Sequence, residues 1–138
     1  IAEGILRKMI EKNKLSWQSS SAGTAHYHIG RSPHQFSQRI CAVHQIDISH
    51  QRAQQFNPYM IDQFDLIVAM DRANLKELKK MTTIKHQDEK IILFSSLNAN
   101  SKIADIPDPY YGGYDGYELV YTLIHELCQA LIDKYKLK

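Results

Sequence analysis

Apolar residues fall at helical spacing from the first position: Ile1, Ile5, Leu6, Met9 and Ile10 mark one face, with glutamate, arginine and lysine on the other. Asn13 and Lys14 end this helix, and a short strand is expected over 17–22. Ser32 and Pro33 read as a helix start, serine as cap and proline at the first helical position, with the helix running to about His44. Phe36, Ile40, Cys41 and Val43 should face inward from it. Ile46-Asp47-Ile48 is a brief extended piece, and Asn57-Pro58 caps another helical turn. Residues 65–69 are apolar almost without break, as in a buried strand, and Asp71 then caps a helix to about Lys80. A further strand is expected over 90–94 and a loop over 98–104. Asp115-Gly116-Tyr117-Glu118 has capping-box spacing, with Asp in place of Ser or Thr. It opens the last helix, to about Tyr135, whose apolar stripe is Val120, Leu123, Ile124, Leu127, Cys128, Leu131 and Ile132.

Strands alternating with helices argue for an α/β domain with a parallel sheet. Ligands bind such sheets at the carboxyl ends of the strands, which here lead into the loops 21–34, 70–74 and 95–114. At 138 residues the chain is expected to form one domain over 1–138. A formal net charge of +2 with no basic run gives no reason to expect nucleic acid. No apolar run reaches membrane-spanning length and no targeting segment is recognisable, so no membrane partner is expected. The two cysteines form no scaffold pattern, which favours a reducing cytoplasm. The seven histidines are scattered, without ligand spacing to cysteines or acids, so no metal or other cofactor is expected.

One stretch concentrates the candidate chemistry: Asp105-Ile106-Pro107-Asp108-Pro109-Tyr110-Tyr111-Gly112-Gly113. Two prolines stiffen it and bias Ile106 and Asp108 towards extended backbone, and two glycines free the turn into the last helix. A carboxylate held beside aromatic walls suits a general acid for an aromatic leaving group. Taken alone, the same nine residues also read as a proline-rich surface turn with solvated acids.

The remainder of the chain favours the first reading. Residues 108–113 resemble the acid loop of the low-molecular-weight protein tyrosine phosphatases. Ser21-Ala22-Gly23-Thr24 followed by Tyr27, then Gly30-Arg31-Ser32-Pro33, resemble two further motifs of that family in the right order. Residues 64–71 (FDLIVAMD), with Asn74 and Leu75 after them, resemble a fourth, and Ile1-Ala2-Glu3-Gly4 looks like the residues directly following the family's phosphate loop. The resemblance implies a three-layer, flavodoxin-like fold, a four-stranded parallel sheet flanked by helices. Its first strand and its Cys-x5-Arg phosphate loop are expected to lie ahead of Ile1, which leaves the domain N-terminally incomplete and the 138 residues inactive by themselves.

The implied reaction is phosphotyrosine hydrolysis through a cysteinyl phosphate. The family's nucleophile sits at a helix N-terminus, where main-chain N–H groups and the helix dipole bind phosphate and depress the thiol pKa. Neither cysteine here matches: six residues after Cys41 stands Asp47, and six after Cys128 stands Lys134. Both fall on apolar helix faces and read as core residues. By resemblance Asp108 is the general acid, and Tyr27, Tyr110 and Tyr111 wall the cleft around a substrate ring. Ser21, His50 and Asp71 support the phosphate loop through hydrogen bonds. The implied partners are phosphotyrosine-containing proteins or aryl phosphates, with inorganic phosphate as inhibitor. Two departures stand out: His34 where the family usually has Asp, and Gln45 where Gly is common, so that Gln45 strains a turn. Three other readings remain open: a protein-arginine phosphatase, a non-catalytic phosphate-binding module, and an arsenate reductase. The last needs redox cysteines in the segment directly after Asp71, which has none.

Overall fold

The computed structural model describes residues 1–24, 29–82, 85–98, 105–107 and 113–136. Helix α1 (Ala2–Lys12) is followed by α2 (Gln35–Val43), α3 (Tyr59–Gln63), β1 (Ile67–Ala69), α4 (Arg72–Lys80), a 3-10 turn (Lys85–Lys90), β2 (Ile91–Leu93), a second 3-10 turn (Phe94–Leu97) and α5 (Tyr114–Tyr135). β1 and β2 pair in parallel, with Ile67 opposite Ile91 and Ala69 opposite Leu93.

Alternation along β1 assigns its two faces. Ile67 and Ala69 are buried with Ile61 of α3, Leu78 of α4 and Ile91 of β2. Leu66, Val68 and Met70 point the other way, onto the larger core that α1, α2 and α5 share. Side chains in a strand alternate faces, so one strand serves two cores and the sheet lies between two helix layers. This is the expected three-layer α/β arrangement. The stripe of α5 is buried as expected, with Leu123 at its margin and Tyr117 and Tyr121 added to it.

Several elements differ in detail from the pattern. The described residues form a two-stranded sheet. Residues 17–22 form no strand: a strand needs a ladder partner, and main-chain pairing here is confined to a single bridge between Gly23 and Gln55. α2 starts two residues later than Ser32-Pro33 implies, because His34 caps it, its Nδ1 accepting from the Phe36 main-chain N at 3.1 Å. Val43 lies 66% exposed at the last position of that helix, off the inward face held by Ile40 and Cys41. Asp115 lies inside the first turn of α5 and does not cap it, since the extended Gly113 is the N-cap and the helix starts two residues earlier. Asn57 does cap α3, its Oδ1 accepting from the Tyr59 main-chain N at 3.0 Å.

Candidate active site

The carboxyl end of β1 is where the pieces gather. Asp71 follows it directly and caps α4, its Oδ1 accepting from the Asn74 main-chain N at 2.7 Å. The segment 105–107 returns to the same place: the Ile106 main-chain N donates to Met70 O at 2.9 Å, and the Ile106 side chain is buried in the larger core. Asp105, just before it, accepts from the Arg72 main-chain N at 2.8 Å and from Arg72 Nε at 3.2 Å. Arg72 Nη2 reaches its second oxygen at 3.4 Å. These bonds hold the Asp105 carboxyl below its ordinary value, the main-chain donor foremost and the guanidinium next. The root of the proline-rich loop is thus fixed at the sheet edge where an α/β site is expected. Asp108, Tyr110 and Tyr111 themselves lie outside the described residues, as does Tyr27.

The segment that carries Tyr27 is anchored at both ends by residues 53–56. Gly23 N donates to Gln54 O at 2.8 Å and Phe56 N to Gly23 O at 2.7 Å. On the far side Gly30 N donates to Ala53 O at 2.7 Å and Ala53 N to Arg31 O at 2.9 Å. Gly30 has φ +82°, a left-handed conformation that glycine adopts without steric cost. Gln54 Nε2 also donates to Ser20 Oγ at 2.9 Å and Ser21 O at 2.8 Å, fixing the approach to the loop.

Two of the expected supporting residues meet α1. Ser21 Oγ donates to Glu3 Oε1 at 2.6 Å. Arg7 Nη1 lies 3.2 Å from His50 Nε2, and since a guanidinium can only donate, the imidazole nitrogen accepts. Arg7 Nη2 also donates to Asp47 O at 2.8 Å. Glu3 and Arg7 are four apart and so share one face of α1. Ser21 and His50 therefore brace the same helix from two different segments, whereas Asp71 bonds its own helix. Close by, Gln51 Nε2 is buried with no hydrogen-bond partner among the described residues.

The profile of the family described as low molecular weight phosphotyrosine protein phosphatase matches residues 1–138. The chain belongs to that family. The low molecular weight phosphotyrosine protein phosphatase of Mus musculus is 34% identical over 137 residues, covering 97% of this chain and 85% of the relative. The low molecular weight protein-tyrosine-phosphatase YfkJ of Bacillus subtilis (strain 168) is 34% identical over 134 residues, covering 96% and 84%. The crystal structure of YfkJ superposes with a TM-score of 0.89 over 98% of this chain and 84% of that one, at 33% identity. DARP, the drosophila arginine phosphatase, superposes at 0.90 with 29% identity, covering 98% and 88%.

Within this low-molecular-weight phosphatase fold, the two cysteines take the core positions expected of them. Cys41 and Cys128 are both buried. Burial pushes the Cys41 thiol up, and pushes that of Cys128 up to about 12. Neither environment favours a thiolate. Asp105, Arg72, Glu3, Arg7 and Gln54 were not singled out by sequence reasoning. Asp105 and Arg72 stand 33 residues apart, so no local spacing links them. Among the described residues no group of three His, Cys, Asp or Glu is placed to hold a metal ion. No helix there is long and apolar enough to cross a membrane.

Proposed function

We propose that this chain acts as a phosphotyrosine protein phosphatase through a cysteinyl phosphate, with Asp108 as general acid. Its substrates are phosphotyrosine-containing proteins or aryl phosphates, and inorganic phosphate inhibits it. This mechanism needs a thiolate and a phosphate-gripping arginine from a Cys-x5-Arg loop, a pair that residues 1–138 do not contain, so in this reading these residues by themselves turn nothing over. The thiolate attacks phosphorus, the P–O bond to the phenol breaks, and Asp108 gives its proton to the departing oxygen. The Asp108 carboxylate then takes a proton from water as that water attacks phosphorus. The P–S bond breaks, releasing phosphate and restoring the thiolate. Tyr27, Tyr110 and Tyr111 wall the ring, while Ser21, His50 and Asp71 support the loop.

The observation that carries this reading is the bond from Ile106 N to Met70 O. It roots the loop bearing Asp108 beside Asp71, at the carboxyl end of β1. The test is Asp108→Asn in the intact enzyme, read as kcat/KM on aryl phosphates of graded leaving group. Loss of a general acid lowers turnover of poor leaving groups by about 10²–10⁴-fold, and less for phenols that depart without a proton. An equal loss on every leaving group would overturn the assignment.

A second reading, a protein-arginine phosphatase, is favoured by the likeness to DARP. Comparing kcat/KM on phosphotyrosine and phosphoarginine peptides decides between the two. Burial of an aromatic ring between tyrosine walls adds about 0.5–1.5 kcal/mol per ring pair beyond area burial. Tyr27→Ala and Tyr110→Ala should therefore weaken aryl phosphate turnover and leave phosphate inhibition nearly unchanged.

A further inference from the structure

We infer that Asp105 is a positioning residue for the acid loop, clamping the loop's root to the first residue of α4 and so setting where the chain leading to Asp108 leaves the sheet. This rests on the reading of Asp108 as general acid. Asp105 draws three donors from a single residue: Arg72 N at 2.8 Å, Nε at 3.2 Å and Nη2 at 3.4 Å. Its neighbour Ile106 adds a main-chain bond to Met70 O at 2.9 Å and a side chain only 8% exposed. Two consecutive residues are thus tied to Met70 and Arg72, the two that flank Asp71. The fixed φ of Pro107 follows at once.

From that root Asp108 is three residues away, a span of at most about 11 Å of chain. An error at the root is therefore passed on to the carboxylate within a few bonds. A general acid has to come within about 2.6–3.2 Å of the oxygen it protonates, and a misplacement of about 1 Å can cost 10²-fold in rate. The clamp contributes little else. The Arg72 and Asp105 side chains are 72% and 43% exposed, and exposed ion pairs add little to stability. The buried Ile106 side chain stays anchored in the core in either case. Placement is what the pair supplies.

The experiment is kcat/KM on aryl phosphates of graded leaving group, in the intact phosphatase, for Asp105→Ala, Asp105→Asn, Arg72→Ala, Asp108→Asn and Asp105→Ala combined with Asp108→Asn. Asp105→Ala should lower phenyl phosphate turnover by about 10- to 100-fold with little change in melting temperature, and should have a much smaller effect on an activated nitrophenyl ester. Arg72→Ala should act in the same direction but less, because the Arg72 main-chain N still reaches Oδ1. Asp105→Asn, which keeps that oxygen, should fall between. In the Asp108→Asn background Asp105→Ala should add nearly nothing. Equal losses on all esters, or losses that multiply with those of Asp108→Asn, would overturn the inference. Leaving-group-independent loss in Asp108→Asn itself would overturn the general-acid reading, and the inference with it. If Asp105→Ala fails to fold, Asp105→Asn and Arg72→Ala carry the same comparison.

Discussion

Gly4 and Ile48 are packed so closely that a β-carbon on Gly4 would stand 2.5 Å from the Ile48 Cγ2 methyl and 3.1 Å from that of Ile46. Both isoleucines are buried, Ile48 at 1% exposure. The first turn of α1 therefore lies directly on the segment 46–48, whose neighbour His50 meets Arg7 one turn further along the helix. A glycine in a helix is ordinarily a weakness; here it lets the end of the helix that is proposed to carry phosphate approach its support.

Gly4→Ala should accordingly destabilise the protein. Overpacking a filled core costs about 1–3 kcal/mol, and the better helix propensity of alanine returns about 1 kcal/mol. Denaturant unfolding should show a net loss of about 1 kcal/mol. A variant as stable as the parent would mean that the 46–48 segment yields, and that the close approach does not fix α1.

The two non-glycine residues with positive φ, among those described, are Lys14 at 55° and Gln45 at 63°. Each ends a helix in the same way. Gln45 N donates to Ala42 O at 2.9 Å and Ile46 N to Cys41 O at 2.9 Å; Lys14 N donates to Glu11 O at 3.1 Å and Leu15 N to Ile10 O at 3.0 Å. These are Schellman pairs with a side chain in the position that glycine favours, and the strain expected at Gln45 is real. The left-handed conformation costs an L-residue about 1–2 kcal/mol, and the entropy of an added glycine takes back about 0.4–1 kcal/mol. Gln45→Gly should stabilise by about 0.5–1 kcal/mol, seen as a rise in melting temperature. A fall would show that the Gln45 side chain makes up for its backbone.

What the sequence revealed and what it concealed divide along physical lines. Local periodicity was enough for α1, α4, α5 and the two paired strands, because a face buried at helical or two-residue spacing is written in neighbouring residues. Asp71 was legible as a cap for the same reason. The strand expected over 17–22 was not there to find: a strand exists by its partner, and composition alone does not supply one. Helix starts moved by two residues, at α2 because the His34 side chain caps it and at α5 because the helix already begins after the extended Gly113. The braces escaped notice altogether. Ser21 with Glu3, Arg7 with His50 and Asp105 with Arg72 join residues 18, 43 and 33 apart, and no pattern within a window of sequence connects them. The family resemblance pointed to Ser21 and His50 but not to the residues they touch.

The cysteines give a prediction in pH. Burial holds the Cys128 thiol protonated, moving it from 9.0 to about 12, and shifts Cys41 in the same direction. The folded state thus binds these protons more tightly than the unfolded chain. That contribution to stability is complete below about pH 9 and is lost as the pH rises from there towards 12. In the native protein at pH 8 iodoacetamide should label neither cysteine, and both should react once the chain is unfolded. Cys128→Ala should cost about 1 kcal/mol of stability, the scale of a small core deletion, and leave kcat/KM of the intact enzyme nearly unchanged. Loss of turnover in a folded Cys128→Ala protein would make Cys128 a participant and displace the proposed mechanism.

Asp71 has two roles to separate. It caps α4 through Asn74 N at 2.7 Å, and by resemblance it supports the phosphate loop. Alanine removes both functions at once and cannot distinguish them. Serine can: it ranks with aspartate as an N-cap, while its shorter, neutral side chain cannot extend a carboxylate to a second group. Asp71→Ala should therefore lose about 0.5–2 kcal/mol of stability, with any change in turnover uninterpretable by itself. Asp71→Ser should keep nearly the parent stability. If Asp71 also holds the phosphate loop, Asp71→Ser should still lower kcat/KM and weaken inhibition by inorganic phosphate, because a slack loop presents its donors to phosphate less well. Asp71→Asn, which keeps the length and the cap but not the charge, should fall between. Parent-like kinetics in Asp71→Ser would confine Asp71 to capping, and the proposed support of the loop would then rest on Ser21 and His50, whose bonds are to Glu3 and Arg7 of α1.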